Sequence, residues 1–306
     1  MHIQLLGTAA GGGFPQWNCN CVLCAEVRSG SPRLVPRTQS CVAISADHRN
    51  WFLLNASPDI RVQMENFPAL QPRPGTTRGS PIQAVLLTNA DLDHTLGLLL
   101  LREGNKLPVY ASANTRDALT RGFALAPLME FFCGIEWKMV SEKLTPLNCA
   151  DGQPSGLLYQ AFPVPGKPPR FMEKEVAPSR GDSVGYKIVD EKTGGTLVFI
   201  PDTAGVDDSM LPQLNRCDGL LFDGTFWSEH EMRERGAGNI AAAQMGHLPI
   251  SGERGSLKIL AALPAKHKVY VHINNTNPIL LDDSPEQSAL AAANIQVGRD
   301  GMSFLI

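Results

Sequence analysis

Three cysteines crowd one short stretch, Cys19-x-Cys21-x-x-Cys24. Thiolates this close can share one tetrahedral ion, and soft sulfur selects zinc in a closed structural site. Three unrelated thiols would have no physical reason to gather in a polar turn. The residues leave the fourth ligand open between Cys41, His2 and a residue brought in from the C-terminal half. The seven cysteines are an odd number, at odds with a disulfide framework.

A second set of chemical residues follows the hydrophobic run Ile82–Thr88: Asn89-Ala90-Asp91-Leu92-Asp93-His94. Two acids and an imidazole at this spacing can converge on one cation above a strand's carboxyl end. The alternative is a plain helix start, with Asn89 or Asp91 as cap, Asp93 on the helix dipole and His94 exposed. Other strand ends favour the site. Asp202 follows Gly195–Ile200, His272 ends a run that begins at Lys268, and His247 lies in a loop flanked by glycine and proline. Acids and imidazoles recurring at the polar ends of several strands point to one shared centre.

The elements that must carry these residues alternate along the chain. Strands are expected at Ile3–Leu6, Cys41–Ser45, Trp51–Asn55, Ile82–Thr88, Pro108–Ala111, Gly219–Asp223 and Lys268–Ile273, with a hairpin from Gly185–Val189 and Gly195–Ile200. Helices are expected from about His94 to Arg102, over Asn114–Phe123 with Asn114 as N-cap, and over Gly255–Leu263 and Pro285–Ala293. Pro163–Arg180 reads as irregular. With no repeat and no linker, one α/β domain spanning 1–306 is expected. A formal charge of −3 excludes a generally basic nucleic-acid binder. No apolar run approaches the roughly 20 residues that cross a bilayer, and no basic leader opens the chain. A soluble, cytoplasmic protein without membrane insertion is the expectation.

In chain order, Leu5-Leu6-Gly7-Thr8 with Gly11-Gly12-Gly13 and the three cysteines, then Thr88 to His94, Asp202-Thr203 and His272, resemble the metallo-β-lactamase superfamily. The resemblance is nearest to its branch of tRNase Z-like enzymes and cyclic phosphodiesterases. Within that branch the chain is similar to a family that acts in pyrroloquinoline quinone (PQQ) biosynthesis. The phrases that carry this run from Gly11 to Cys21, from Asn89 to Leu99 and from His272 to Pro278. The implied fold is an αββα sandwich with the site at one edge of the two sheets. The hydrolases of the superfamily carry His-x-His-x-Asp-His, whereas Asn89 and Asp91 replace the first two histidines here, and no histidine lies between His94 and His230. A dinuclear zinc site of the usual kind cannot be assembled. What remains is Asp91, Asp93, Asp202, His94 and His272, a ligand chemistry suited to non-haem Fe(II) and O₂.

The resemblance makes Asp93 a metal ligand or, with one metal, a catalytic base, and His247 a second candidate catalytic residue. Asn275 stands where related phosphodiesterases place the histidine that completes the three-cysteine site, which adds it to the candidate zinc ligands. Asp223-Gly224-Thr225-Phe226 resembles a strand-end motif of the tRNase Z branch and reads equally as a tight turn. The implied activity is Fe(II)- and O₂-dependent hydroxylation of the tyrosine ring of a Glu–Tyr-derived peptide precursor. Lys167, Arg170 and Arg180 are candidate cations for that acidic substrate. Other PQQ biosynthesis proteins and a second copy of the chain, as a homodimer, are further candidate partners. Two alternatives stand beside this one: a metal-dependent hydrolase, and a non-catalytic carrier that assists passage of PQQ or its precursor to the periplasm.

Overall fold

The computed structural model describes residues 1–306. Strands β1 (His2–Gly7), β2 (Cys41–Ser45), β3 (Trp51–Leu54), β4 (Ile82–Leu86), β5 (Leu107–Ala111) and β6 (Ile135–Met139) come first. They are followed by β7 (Thr145–Asn148), β8 (Pro154–Pro163), β9 (Val184–Asp190), β10 (Thr196–Ile200), β11 (Gly219–Asp223), β12 (His267–Val271), β13 (Gln296–Val297) and β14 (Ser303–Leu305). One sheet has the order β14-β1-β2-β3-β4-β5-β6 and the other β13-β12-β11-β10-β9-β8-β7. The last strand thus returns to the first sheet, antiparallel to β1.

Side-chain alternation explains why the sheets stack. Val42 and Ile44, Phe52 and Leu54, Leu197 and Phe199, and Leu221 point into the space between the sheets. Their neighbours face outward: Cys41, Ala43, Trp51 and Leu53 under one helical layer, Val198, Ile200, Leu220 and Phe222 under the other. Strands covered on both faces become continuously apolar, which is why these runs lack polar alternation. The result is four layers, α/β/β/α.

Two expected elements differ. The helix from His94 to Arg102 is split into Leu92–Thr95 and Gly97–Leu100. The loop after β3 wedges in there, with Ala56 N–H donating to His94 O and Gly97 N–H donating to Ala56 O. A Cβ on Gly97 would lie 2.3 Å from the Ser57 carbonyl oxygen, so only glycine allows this approach. Asn114 is not the N-cap of the next helix. Ser112 accepts from Thr115 N–H and caps it, while Asn114 reaches Asp182 across the irregular 163–180 segment. The short helices Val22–Arg28 and Ile60–Asn66 and the strands β6, β7 and β8 were not expected. Val22–Arg28 and Ile60–Asn66 have just 7 residues each, too few for a helical period to emerge from a turn-rich sequence.

Candidate metal centre

β4, β10, β11 and β12 all end at one rim of the sandwich, so the residues after them meet. The rim is closed by bonds between the sheets: Tyr186 O–H donates to Leu87 O, and Val184 N–H to Thr88 O. Asp93 Oδ2 lies 2.9 Å from His272 Nε2 and 3.6 Å from His94 Nε2. Asp202 Oδ2 lies 3.3 Å from His94 Nδ1, and its Oδ1 lies 3.1 Å from His272 Nδ1 and 3.7 Å from His247 Nδ1. The ligand atoms of Asp93, His94 and His272 all fall within 4.8 Å of one another, as do those of Asp202, His247 and His272. Five residues from both halves of the chain therefore converge, with His272 common to both groups. Asp91 belongs to neither group; it stands at the N-terminus of the Leu92–Thr95 helix, half-buried beside the cluster. His94 is wholly buried, unlike the exposed histidine of a plain helix start.

Charge is packed tightly here. Burial works against ionised Asp93 and Asp202, yet the imidazoles of His94 and His272 outweigh it and hold both carboxyls below the usual range. Burial likewise opposes a charged His272, but Asp202 and Asp93 raise it to about 10. Asp91 is pushed up to about 7 by burial and by the neighbouring Asp93 and Asp202.

A second set of groups orients the first. Asp223, buried at the end of β11, has Oδ2 2.8 Å from His247 Nδ1 and also accepts from Thr203 and Thr225 N–H. The Thr225 hydroxyl sits 2.7 Å from Asp223 Oδ1 and 2.8 Å from His272 Nδ1. With these contacts taken by Nδ1–H, a bound cation would displace the Nε2 proton of each ring and take its lone pair. Asn55 locks Thr88, whose hydroxyl lies 3.2 Å from His94 Nδ1. Asn89 donates to Asp202 Oδ2 at 2.7 Å. The roles of Asp223, Thr225 and Asn55 are not legible from spacing; the signals available were that Asp223 ends a strand and that Asp223-Gly224-Thr225-Phe226 resembles a strand-end motif of the tRNase Z branch.

The residues fit a bound cation. His94 Nε2 and Asp202 Oδ1 are buried without a hydrogen-bond partner, a state that native structures rarely leave uncompensated. Two donors about 2.1 Å from one ion and about 90° apart are separated by about 3 Å. The 2.9 Å between His272 Nε2 and Asp93 Oδ2 matches that spacing.

The sulfurs of Cys19, Cys21 and Cys24 also lie within 4.8 Å of one another. Two of the candidate fourth ligands are elsewhere. Cys41 Sγ is bonded to Asn55 O inside the sheet, and His2 packs on His48. Asn275 is the residue that reaches the site, with its amide nitrogen 3.1, 3.8 and 3.4 Å from the three sulfurs. Turned by 180°, the same amide presents Oδ1 as a donor.

Comparison with known proteins agrees with this architecture. The family model of the beta-lactamase superfamily domain matches residues 50–273. The chain is 45% identical over 305 residues to coenzyme PQQ synthesis protein B of Azotobacter vinelandii, covering 99% of each chain. Its counterpart from Cupriavidus necator is 42% identical over 310 residues, again covering 99% of each. The crystal structure of Zn(2+)-bound PqqB from Methylobacterium extorquens superposes with a TM-score of 0.90 at 38% identity, over 100% of both chains. A diphosphatase of the PhnP family, at 21% identity and TM-score 0.67, shares the fold over 99% of this chain and 96% of its own. With a metallo-β-lactamase fold and this identity over its whole length, the chain belongs to the coenzyme PQQ synthesis protein B family of the β-lactamase superfamily.

Proposed function

We propose that the chain acts in PQQ biosynthesis as an Fe(II)- and O₂-dependent hydroxylase of the tyrosine ring in a Glu–Tyr-derived precursor. The place in PQQ biosynthesis rests on the names of its relatives. The chemistry rests on one observation: Asn89, at the first hydrolase histidine position, donates its amide to Asp202. It is therefore a positioning group rather than a ligand, and the donor set is rich in carboxylate. Fe(II), when bound, supplies the redox chemistry that O₂ needs. Asp93, His94, Asp202 and His272 would hold it, and Asp223 orients His247 and His272. Where His94, Asp202 and His272 suffice as ligands, Asp93 is instead the base that takes the ring proton leaving as the C–O bond forms. One oxygen atom enters the ring and the other leaves as water, with two electrons from an external reductant.

Of the three candidate cations, Lys167 packs beside a residue of the centre. Its stem packs on Gly246, beside His247, and its ammonium bonds Glu173 and the Gln244 carbonyl. Arg180 pairs with Glu142 on the surface, and Arg170 is exposed. The cytoplasm is the proposed setting, consistent with the lack of any helix long and apolar enough to cross a membrane.

The test is O₂ uptake by anaerobically Fe(II)-loaded protein with the precursor and a reductant, read with product mass. Gain of one oxygen atom is expected. Iron-loaded protein that leaves the precursor unchanged sinks the proposal. Turnover of an activated phosphodiester by zinc-loaded protein would put a hydrolase in its place, and tight PQQ binding without metal or turnover would put a carrier there.

A further inference from the structure

The two candidate metal sites are built on shared segments. His272 and Asn275 lie three residues apart after β12, with only an isolated bridge at Ile273 between them. His272 has a φ of +56°, a left-handed conformation that a non-glycine residue keeps only where its surroundings hold it. Thr225 grips both its carbonyl and its ring. The Asn275 amide meets all three cysteine sulfurs. A second connection runs through the turn before Cys19. Ala10 N–H donates to Ile273 O, and the next residue, Gly11, passes beside Asp93, where even a side-chain methyl would make only an ordinary contact with the carboxylate. Arg28, from the helix that carries Cys24, donates to the Gln16 and Cys19 carbonyls and fixes the far end of that turn. The cysteine site thus reaches the centre from two sides, at His272 and at Asp93. Cys21 is part-buried and lines a cavity of about 170 Å³, while Cys24 is wholly buried.

We propose that the sites are energetically coupled: an ion on Cys19, Cys21 and Cys24 holds His272 and Asp93 at the separation a second ion needs. Filling either site then tightens the other. This rests on reading the three cysteines as a zinc site and is independent of the reaction catalysed. A zinc site that only staples the fold locally predicts no such linkage.

Mn²⁺ is the probe, since it favours carboxylate oxygen over thiolate, and the EPR signal of the free ion reports its binding. In wild-type protein, saturating Mn²⁺ should raise zinc affinity about tenfold, measured against a chromophoric chelator, because coupling is reciprocal. Folded, zinc-loaded Asn275→Ala should bind Mn²⁺ about tenfold more weakly, with circular dichroism as the check on folding. Unchanged zinc affinity with Mn²⁺, together with wild-type Mn²⁺ affinity in Asn275→Ala, overturns the coupling alone. A chain that takes up no zinc at its cysteines overturns the zinc reading and the coupling with it.

Discussion

His94 shows how little a residue type says before its neighbours are known. Asp93, Asp202 and Thr88 surround it, and its Nε2 is buried without a partner. His94→Ala should weaken Fe(II) binding about 100-fold or more, beyond what loss of a supporting group costs. Anaerobic iron titration reads this, and unchanged affinity would put His94 outside the centre. Because the ring is wholly buried, the melting temperature should also fall by the equivalent of about 1–3 kcal/mol. Asp223→Asn tests orientation in place of ligation. The variant keeps an acceptor for Thr225 but replaces the oxygen that holds His247 with an amide donor. Turnover should drop about 10- to 100-fold with a shifted pH profile while the chain stays folded. A histidine that merely packs in the core would leave that profile in place.

At the scale of elements, close approaches decide more than propensity does. Gly97 lets one helix break against the loop after β3, and that break sets the direction of the segment carrying Asp93 and His94. Gly97→Ala drives a methyl group into backbone oxygens, so it should destabilise the chain by about 2 kcal/mol or more. Urea unfolding measures this, and a variant within about 0.5 kcal/mol of wild type would refute the tight packing. The helix Glu231–Glu234 is tied to the same region, since buried Glu231 accepts from Thr276 O–H and Trp227 N–H, each at 2.6 Å. Burial raises this carboxyl to about 7. The folded chain therefore binds the proton more tightly than the unfolded one. That contribution is complete below the unfolded value near 4.5 and is lost as pH rises through 7. The stability of wild type relative to Glu231→Gln should fall over this window by up to about 3 kcal/mol. A gap independent of pH would show that Glu231 titrates alike in the folded and unfolded chain.

On the scale of the whole molecule, the centre is a clasp between the two sheets. Asp93 and His94 follow β4 of one, while Asp202, His247 and His272 follow strands of the other. An ion bound across them stabilises only the assembled sandwich. Metal at 100 times its dissociation constant should therefore add about 2.7 kcal/mol to the unfolding free energy. Calorimetry should show one transition that moves up with metal and back with chelator. Two transitions, only one of them metal-sensitive, would mean that the halves unfold separately.

Much of this was legible in the sequence because it depends on local order. Apolar runs such as Leu197–Ile200 announce buried strands, and the cysteine cluster and the polar residues after each run announce where chemistry sits. The spacing of Asn89, Asp91, Asp93 and His94 also departs from the histidine pattern of the dinuclear hydrolases. Tertiary structure alone decided what depends on contacts between distant segments. It chose Asn275 over Cys41 and His2 beside the cysteines, since backbone direction after β12 is set by packing rather than by residue type. It gave Asp223 and Thr225 their hold on two histidines, and left Asp91 beside the cluster while drawing His247 into it. A side chain's chemistry is carried by its own residue, but its partners are fixed only when the two sheets close on each other.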